Sequence, residues 1–293
     1  MNKQTVTTRQ DKSKSLDFAS IEHTDDVTWY LIWRKYRITT ISILTVSILF
    51  FVGLILIASK HHLEELFFAS FLFPLTILFM YYGYVRTKAK KWFMQQFAAV
   101  NNLAYQKTLP LSSVKRRLFE VGHSKSITDV VSAKYQDHLL RLFHYHYTRG
   151  YGRSSRIYYF TVAELFFEKV EFPHILLQSR TMAKYGTKGK NMQTIPLEEN
   201  FKKLYRLHAT QGYEIEIFQI FTPKVLHFLK ETGPHFSIEF ADNRLYIYDD
   251  LTILNKKQLY EIYEVTQQIF DSIGPLLNRL HDDFAVLHPY YRR

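Results

Sequence analysis

The sequence predicts an α+β protein: a transmembrane helical hairpin, then an antiparallel-sheet domain with a long C-terminal helix. Three observations carry that expectation. Ile38–Ala58 and Leu66–Val85 each run without a charge for about 20 residues, the length an α-helix needs to cross the hydrocarbon core. From Ser126 the apolar period becomes two, the repeat of half-buried strands. After Asn255 a three–four spacing runs to about Phe284, the repeat of an amphipathic helix.

Residues 1–20 are polar and predict disorder. Asp17–Tyr36 gathers Ile21, Val27, Leu31 and Ile32 among aromatics and reads as an interfacial segment, so residues 1–37 form one N-terminal region. The hairpin occupies 38–85, with spans 38–58 and 66–85 joined by Ser59–Glu65. Arg34, Lys35 and Arg37 precede the first span; Arg86, Lys88, Lys90 and Lys91 follow the second; the joining loop has one Lys against two Glu. Short-loop Lys and Arg stay on the cytoplasmic side, so both termini are expected in the cytoplasm, on a cell-membrane protein with two spans. Trp29, Tyr30, Trp33 and Tyr36, with Tyr81, Tyr82, Tyr84 and Trp92, suit an aromatic belt at that face. Thr39, Thr40, Ser42, Thr45, Ser47, Ser70 and Thr76 read as packing and back-bonding hydroxyls rather than a pore lining. Neither span carries an acidic, basic or histidine residue.

Residues 86–106 predict a juxtamembrane helix, with Trp92, Phe93, Phe97, Val100 and Leu103 at helical spacing. The cytosolic domain covers 107–293. Ile127–Tyr135 and Leu139–Thr148 flank a turn-like Gln136-Asp137-His138 and predict a hairpin. Ile157–Phe167 and His174–Ser179 are further strands, and Asn200–Ala209 is a fifth. Gly212–Phe221 fits a helix and a strand equally. Thr222-Pro223 opens a helix, as N-cap and first-turn proline, and Gly233-Pro234 stops it. Phe236–Phe240 and Leu245–Asp249 form a closing hairpin around Ala241–Arg244. The last helix places Leu259, Ile262, Ile269, Ile273, Leu276, Leu280 and Phe284 on one face. Gly274-Pro275 interrupts that stripe, so it is expected to pack on the protein's own sheet rather than in a coiled coil.

Charge is the second guide to function. The chain has a net charge of +11, and residues 86–190 carry 19 Lys and Arg against six Asp and Glu. Residues 191–293 reverse the balance, with 11 against 14. A basic segment adjoining a span fits anionic lipid headgroups, each cation near the surface adding about 1 kcal/mol. Nucleic acid would be attracted by the same charge but is the disfavoured partner of an anchored chain. The lipid bilayer is thus the expected partner, with membrane proteins a further possibility for the spans. The chain has no Cys, which excludes disulfides, thiolate metal sites and Cys nucleophiles.

Within the basic region, Arg149, Arg153 and Arg156 share one Gly-rich loop; Lys184, Lys188 and Lys190 share another. Cationic side chains beside glycine backbone suit phosphate groups, so these six are the candidate anion- or lipid-binding residues. Gly150–Ser155 begins like a nucleotide fingerprint, but it joins two strands and ends in Ser155, which predicts a hairpin loop instead. His144 and His146 share a strand face, a spacing that serves a metal only with a third ligand. No catalytic, cofactor or metal motif is legible, and a triad is recognised in space rather than in sequence.

The segments Leu197–Phe201, Gly212–Glu214, Ile220–Pro223 and Arg244–Tyr248 resemble uncharacterised bacterial membrane proteins that place a two-span hairpin before a cytosolic domain of unknown function. The resemblance implies an integral membrane protein and brings no activity with it. The expected function is a membrane-anchored, cytosol-facing binding or accessory module. The alternatives are a membrane-tethered enzyme with an unrecognised site and a subunit of a larger membrane complex.

Overall fold

In a computed structural model of the chain, residues 16–21, 28–61, 64–114, 117–136, 138–168, 170–185, 191–253 and 255–287 are described, the side chains of 58, 61, 64–71, 117 and 275–287 excepted. They form two compact units, residues 20–97 with 253–256, and residues 16–19 with 98–252 and 257–287.

The first unit rests on helices α1 (Arg37–His61) and α2 (Glu64–Val100). Among the described residues, Arg37–Ile57 is long and apolar enough to cross a membrane. The second apolar run lies in α2, and its first residues are described as helical backbone only. The two helices touch at Phe50 and Phe73, whose rings are 4.6 Å apart, and at Thr40 and Tyr81, whose hydroxyls are 2.7 Å apart. A π-helical turn, Leu31–Lys35, leads into α1 and leaves carbonyls that α-geometry would have used. The Thr40 hydroxyl lies 2.8 Å from the Ile32 carbonyl and 2.9 Å from that of Tyr36, and it donates to them. Thr76 back-bonds to the Leu72 carbonyl in the same way, as the hydroxyl pattern predicts.

The second unit is a nine-stranded, wholly antiparallel sheet in the order β1-β2-β3-β4-β9-β8-β5-β7-β6. The strands are β1 (Ala104–Leu109), β2 (His123–Tyr135), β3 (His138–Arg149), β4 (Arg156–Phe166), β5 (Phe172–Ser179), β6 (Met192–Ile195), β7 (Tyr205–Thr210), β8 (Ser237–Asp242) and β9 (Arg244–Asp249). Both predicted hairpins form. Tyr135 pairs with His138 and Ala241 with Arg244, around Gln136 and Asp242, whose φ angles are 44° and 50°. The β8–β9 hairpin sits between β4 and β5. The short link from β4 to β5 therefore crosses its tip, where the Phe167 N–H donates to the Asn243 carbonyl at 2.9 Å.

Alternation divides the side chains of this sheet between two faces. One face carries Phe143, Tyr145, Tyr147, Phe160, Val162, Leu176, Tyr246 and Tyr248. It is covered by the short helix α3 (Arg117–Glu120), through Leu118 and Phe119, and by Met182 and Tyr185. The other face meets helices. Phe221 lies against Phe240, and the Tyr205 hydroxyl donates to the Gly233 carbonyl at 2.7 Å behind α6 (Pro223–Thr232). The N-cap reading of Thr222 holds: its hydroxyl accepts from the Val225 N–H at 3.3 Å.

Several local expectations are corrected. Gly212–Phe221, which fits a helix and a strand equally, resolves as the helix α5 (Glu214–Ile220). The segment Asn200–Ala209 is not one strand, since a single turn, α4 (Glu199–Lys202), precedes β7. The juxtamembrane helix ends at Val100, and residues 104–106 open the edge strand β1. Residues 16–19, within the predicted disorder, are tied down: Phe18 packs edge-on against Tyr260, and the Asp17 N–H donates to the Asn101 side chain. Residues 1–15 lie outside the described set. The last helix, α7 (Lys256–Leu287), runs unbroken past Gly274-Pro275, because one missing N–H removes one bond from a helix already held by packing. Its Leu259, Ile262, Val265, Ile269 and Ile273 are buried, and Phe270 meets Tyr135 of β2. The side chains of Leu276, Leu280 and Phe284 lie outside the described residues.

One polar group sits in the middle of the sheet. Glu164 of β4 is fully buried and accepts from Arg141 of β3, at 2.5 Å, and from Arg244 of β9. Glu164→Gln leaves two guanidiniums without their counter-charge. A loss of about 3 kcal/mol in unfolding free energy is expected from denaturant titration followed by circular dichroism. A loss below about 1 kcal/mol would show that water replaces the carboxylate.

Candidate functional site

The three candidate arginines come together. Arg149 and Arg156 are register partners at the end of the β3–β4 hairpin, and Arg153 lies in the 3-10 turn Gly152–Ser154 between them. The turn needs its glycines. Gly150 has φ of 82°, and a Cβ there would stand 2.7 Å from the Ser154 carbonyl oxygen. His123 buttresses the tip, stacking on Tyr151 at 4.6 Å while its Nε2 lies 2.9 Å from the Gly150 carbonyl. All three arginines are exposed, and among the described residues none has an ion-pair partner. Beside them Tyr151 (79%), Ile157 (53%) and Tyr159 (51%) face solvent. The tip thus joins three cations to apolar and aromatic side chains, a pairing suited to an anionic interface. The loop is a hairpin turn, as expected, and not a strand-to-helix phosphate loop.

Of the three candidate lysines, Lys184 is among the described residues. Lys188 and Lys190 lie outside the described residues. Lys184 is 3.0 Å from the Asp250 carboxylate and lies over the Tyr185 ring, so its charge is balanced within the domain. Asp250 also accepts from the Tyr185 hydroxyl at 2.7 Å. Burial works against ionisation of Asp250, yet the Tyr185 and Lys184 donors outweigh it and hold its carboxyl below the ordinary value. Burial pushes the Tyr185 hydroxyl up to about 12, so it serves as a donor and not as a base. Next to it Asp249 is 4% exposed, and burial raises its carboxyl to about 7, with the Asp250 and Glu261 charges adding to the effect. His235 Nε2 lies 3.7 Å from Asp249, and burial lowers its imidazole below the usual value.

His144 and His146 share a face, as their spacing implies, but they part in role. His144 Nδ1 is 3.6 Å from Asp129, which also accepts from Tyr105 at 2.7 Å. Among the described residues no three His, Asp or Glu side chains converge as a metal set. Tyr145 and Tyr147 are core residues on the opposite face.

The structure adds charged residues that the linear reading passed over. Glu164 and Glu239 are carboxylates at inward strand positions, an irregularity visible in TVAELF and SIEF. Glu239 accepts from His174, whose Nε2 is 2.6 Å away. Arg180, Lys202 and Arg206 converge on a groove beside β7, an association no local motif announces.

No family model matches the chain, and no curated protein matches it. Among solved structures it is similar to the mycobacterial trehalose monomycolate transport factor A, TtfA, at 12% identity and a TM-score of 0.48, over 63% of this chain and 94% of that one.

The Asp249 carboxyl carries a pH signature. Its folded-state value lies above the ordinary 3.8, so the native state binds the proton more tightly. The stabilisation is therefore complete below pH ~4 and is lost as pH rises to about 7. Asp249→Asn should raise the melting temperature at pH 8 and converge with the parent near pH 4 in thermal-shift measurements. A variant less stable than the parent at pH 8 would refute the assignment.

Proposed function

We propose that the protein is a membrane-anchored module whose two N-terminal helices both span the bilayer and whose second unit is presented to the cytoplasm. The carrying observation is the apolar surface that α1 leaves uncovered: Ile38 is 82% exposed, with Val46, Ile48, Leu49 and Leu56 exposed beside it. Leu72, Leu75, Phe79 and Met80 do the same on α2. A patch of this extent on two adjacent helices is not stable against water, whereas lipid tails satisfy it.

The flanks support two spans with cytoplasmic ends. Arg34, Lys35, Arg37 and Lys88 are exposed at the basic ends of the helices, with Trp29 and Trp33 exposed beside the first group. Burial, and then the Arg86 guanidinium, lower the Lys90 ammonium from its ordinary value, a cation crowded by like charge and receptive to an anion. The β3–β4 tip supplies a second contact in this reading, with Arg149, Arg153 and Arg156 on anionic headgroups and Tyr151 at the interface. Lys184 contributes little, since Asp250 already balances it.

The chain lacks Cys, so single-cysteine variants test the topology without background. An impermeant maleimide should label Ser59→Cys in intact cells and label Ser155→Cys only after lysis. The reverse pattern would overturn the orientation. A bimane on Ser155→Cys should shift to the blue when the full-length protein is reconstituted with phosphatidylglycerol rather than phosphatidylcholine. Salt at about 0.5 M should reverse the shift, since screening then acts within a few ångströms. Equal emission in both lipids would remove the hairpin tip from the membrane contact.

A further inference from the structure

We infer that the groove beside β7 is a binding site for a phosphate-bearing ligand with an apolar part. It stands on residues other than those assigned to the membrane contact. The register places Gln178 of β5 opposite Arg206 of β7, and His208 opposite Thr194 of β6, so the four share one sheet face and make the floor. Gln178 and His208 are buried in that floor, while Arg206 is exposed above it. Thr194 Oγ1 lies 3.1 Å from His208 Nδ1, which ties the imidazole to the neighbouring strand.

Arg180 makes the wall. Its Nε and Nη2 donate to the Lys202 carbonyl at 3.0 and 2.8 Å, which takes two of the five N–H donors and holds the guanidinium still. A guanidinium fixed in this way needs no further ordering to fork onto a phosphate. Lys202 is the third cation, its only described carboxylate partner an exposed Glu199 at 3.4 Å, a contact of little strength. The lining has three cations and no acidic residue. Ile195, Pro196 and Leu197 close the other side with apolar surface. The volume is ≈ 460 Å³, in the range of small-ligand sites.

This chemistry fits a soluble phosphorylated compound or the headgroup of a phospholipid. Calorimetric titration of the full-length protein in phosphatidylcholine nanodiscs distinguishes them, with inorganic pyrophosphate and dihexanoyl phosphatidic acid as probes and dihexanoyl phosphatidylcholine as the control. At least one anionic probe should bind saturably. Pyrophosphate binding as tightly as the short-chain lipid identifies a soluble ligand; binding of the lipid alone identifies a headgroup. Arg206→Glu should weaken that binding at least about tenfold, or 1.4 kcal/mol. Arg180→Gln should weaken it in the same direction, and it retains the argument should Arg206→Glu melt early in a thermal-shift assay. Charge reversal at Arg149, Arg153 and Arg156 should change it by less than about twofold, which separates this site from the hairpin tip. Saturation by neither probe below about 10 mM, or unchanged affinity in a folded Arg206→Glu or Arg180→Gln protein, would overturn the site.

Discussion

A carboxylate taken wholly out of water must find its partners within the protein, and Glu164 finds them on both neighbouring strands. Arg141 of β3 and Arg244 of β9 reach it from either side, and the Arg244 Nη1 also donates to the Ser113 carbonyl at 2.8 Å. One group thus joins three strands to the segment that covers their aromatic face. A one-residue slip of β4 would turn Glu164 to the other face and leave two guanidiniums without an anion. The β8–β9 hairpin is inserted between β4 and β5, and its place depends on the same contact. Glu239 on β8, held by His174, repeats the device one strand further along.

Formal charge and usable charge diverge once the chain is folded. Residues 86–190 carry 19 cations, yet several are consumed internally. Arg141 serves Glu164, Lys184 serves Asp250, and Lys125 donates to the Phe119 and Glu120 carbonyls at 2.9 and 2.6 Å. Two basic features of different character are left on the surface of the sheet unit. The hairpin tip sets arginines among exposed aromatic and aliphatic side chains, which suits a broad interface. The groove at β7 sets them around a concave floor with buried polar groups, which suits a single bound molecule.

The helical unit solves a different problem, that of backbone groups released by a break in the helical pattern. The π-turn before α1 disrupts the regular pattern of N–H to carbonyl bonds, and Thr40 repairs it with one hydroxyl that Tyr81 of α2 also reaches. A single small residue therefore satisfies the backbone and joins the two helices.

The features legible in the sequence are those decided within a few residues. Thr222-Pro223 caps a helix because its hydroxyl and fixed φ act on the next turn, and the hairpin turns at Gln136 and Asp242 likewise follow from local geometry. The apolar runs announce their helices by length alone. Elements at the sheet edges were not legible: β1 continues a helical spacing through Leu103 and is half exposed, and β6 has four residues, too few to show a period. The fate of each charge was also hidden. Arg149, Arg153 and Arg156 meet because one turn joins them, so their cluster could be seen. Tyr185 meets Asp250 across 65 positions, and Arg244 meets Ser113 across 131. Arg180 and Arg206 become neighbours only because β5 pairs with β7. Pairing of strands is a collective outcome of burial and register, and no local spacing encodes which distant cation it leaves facing water.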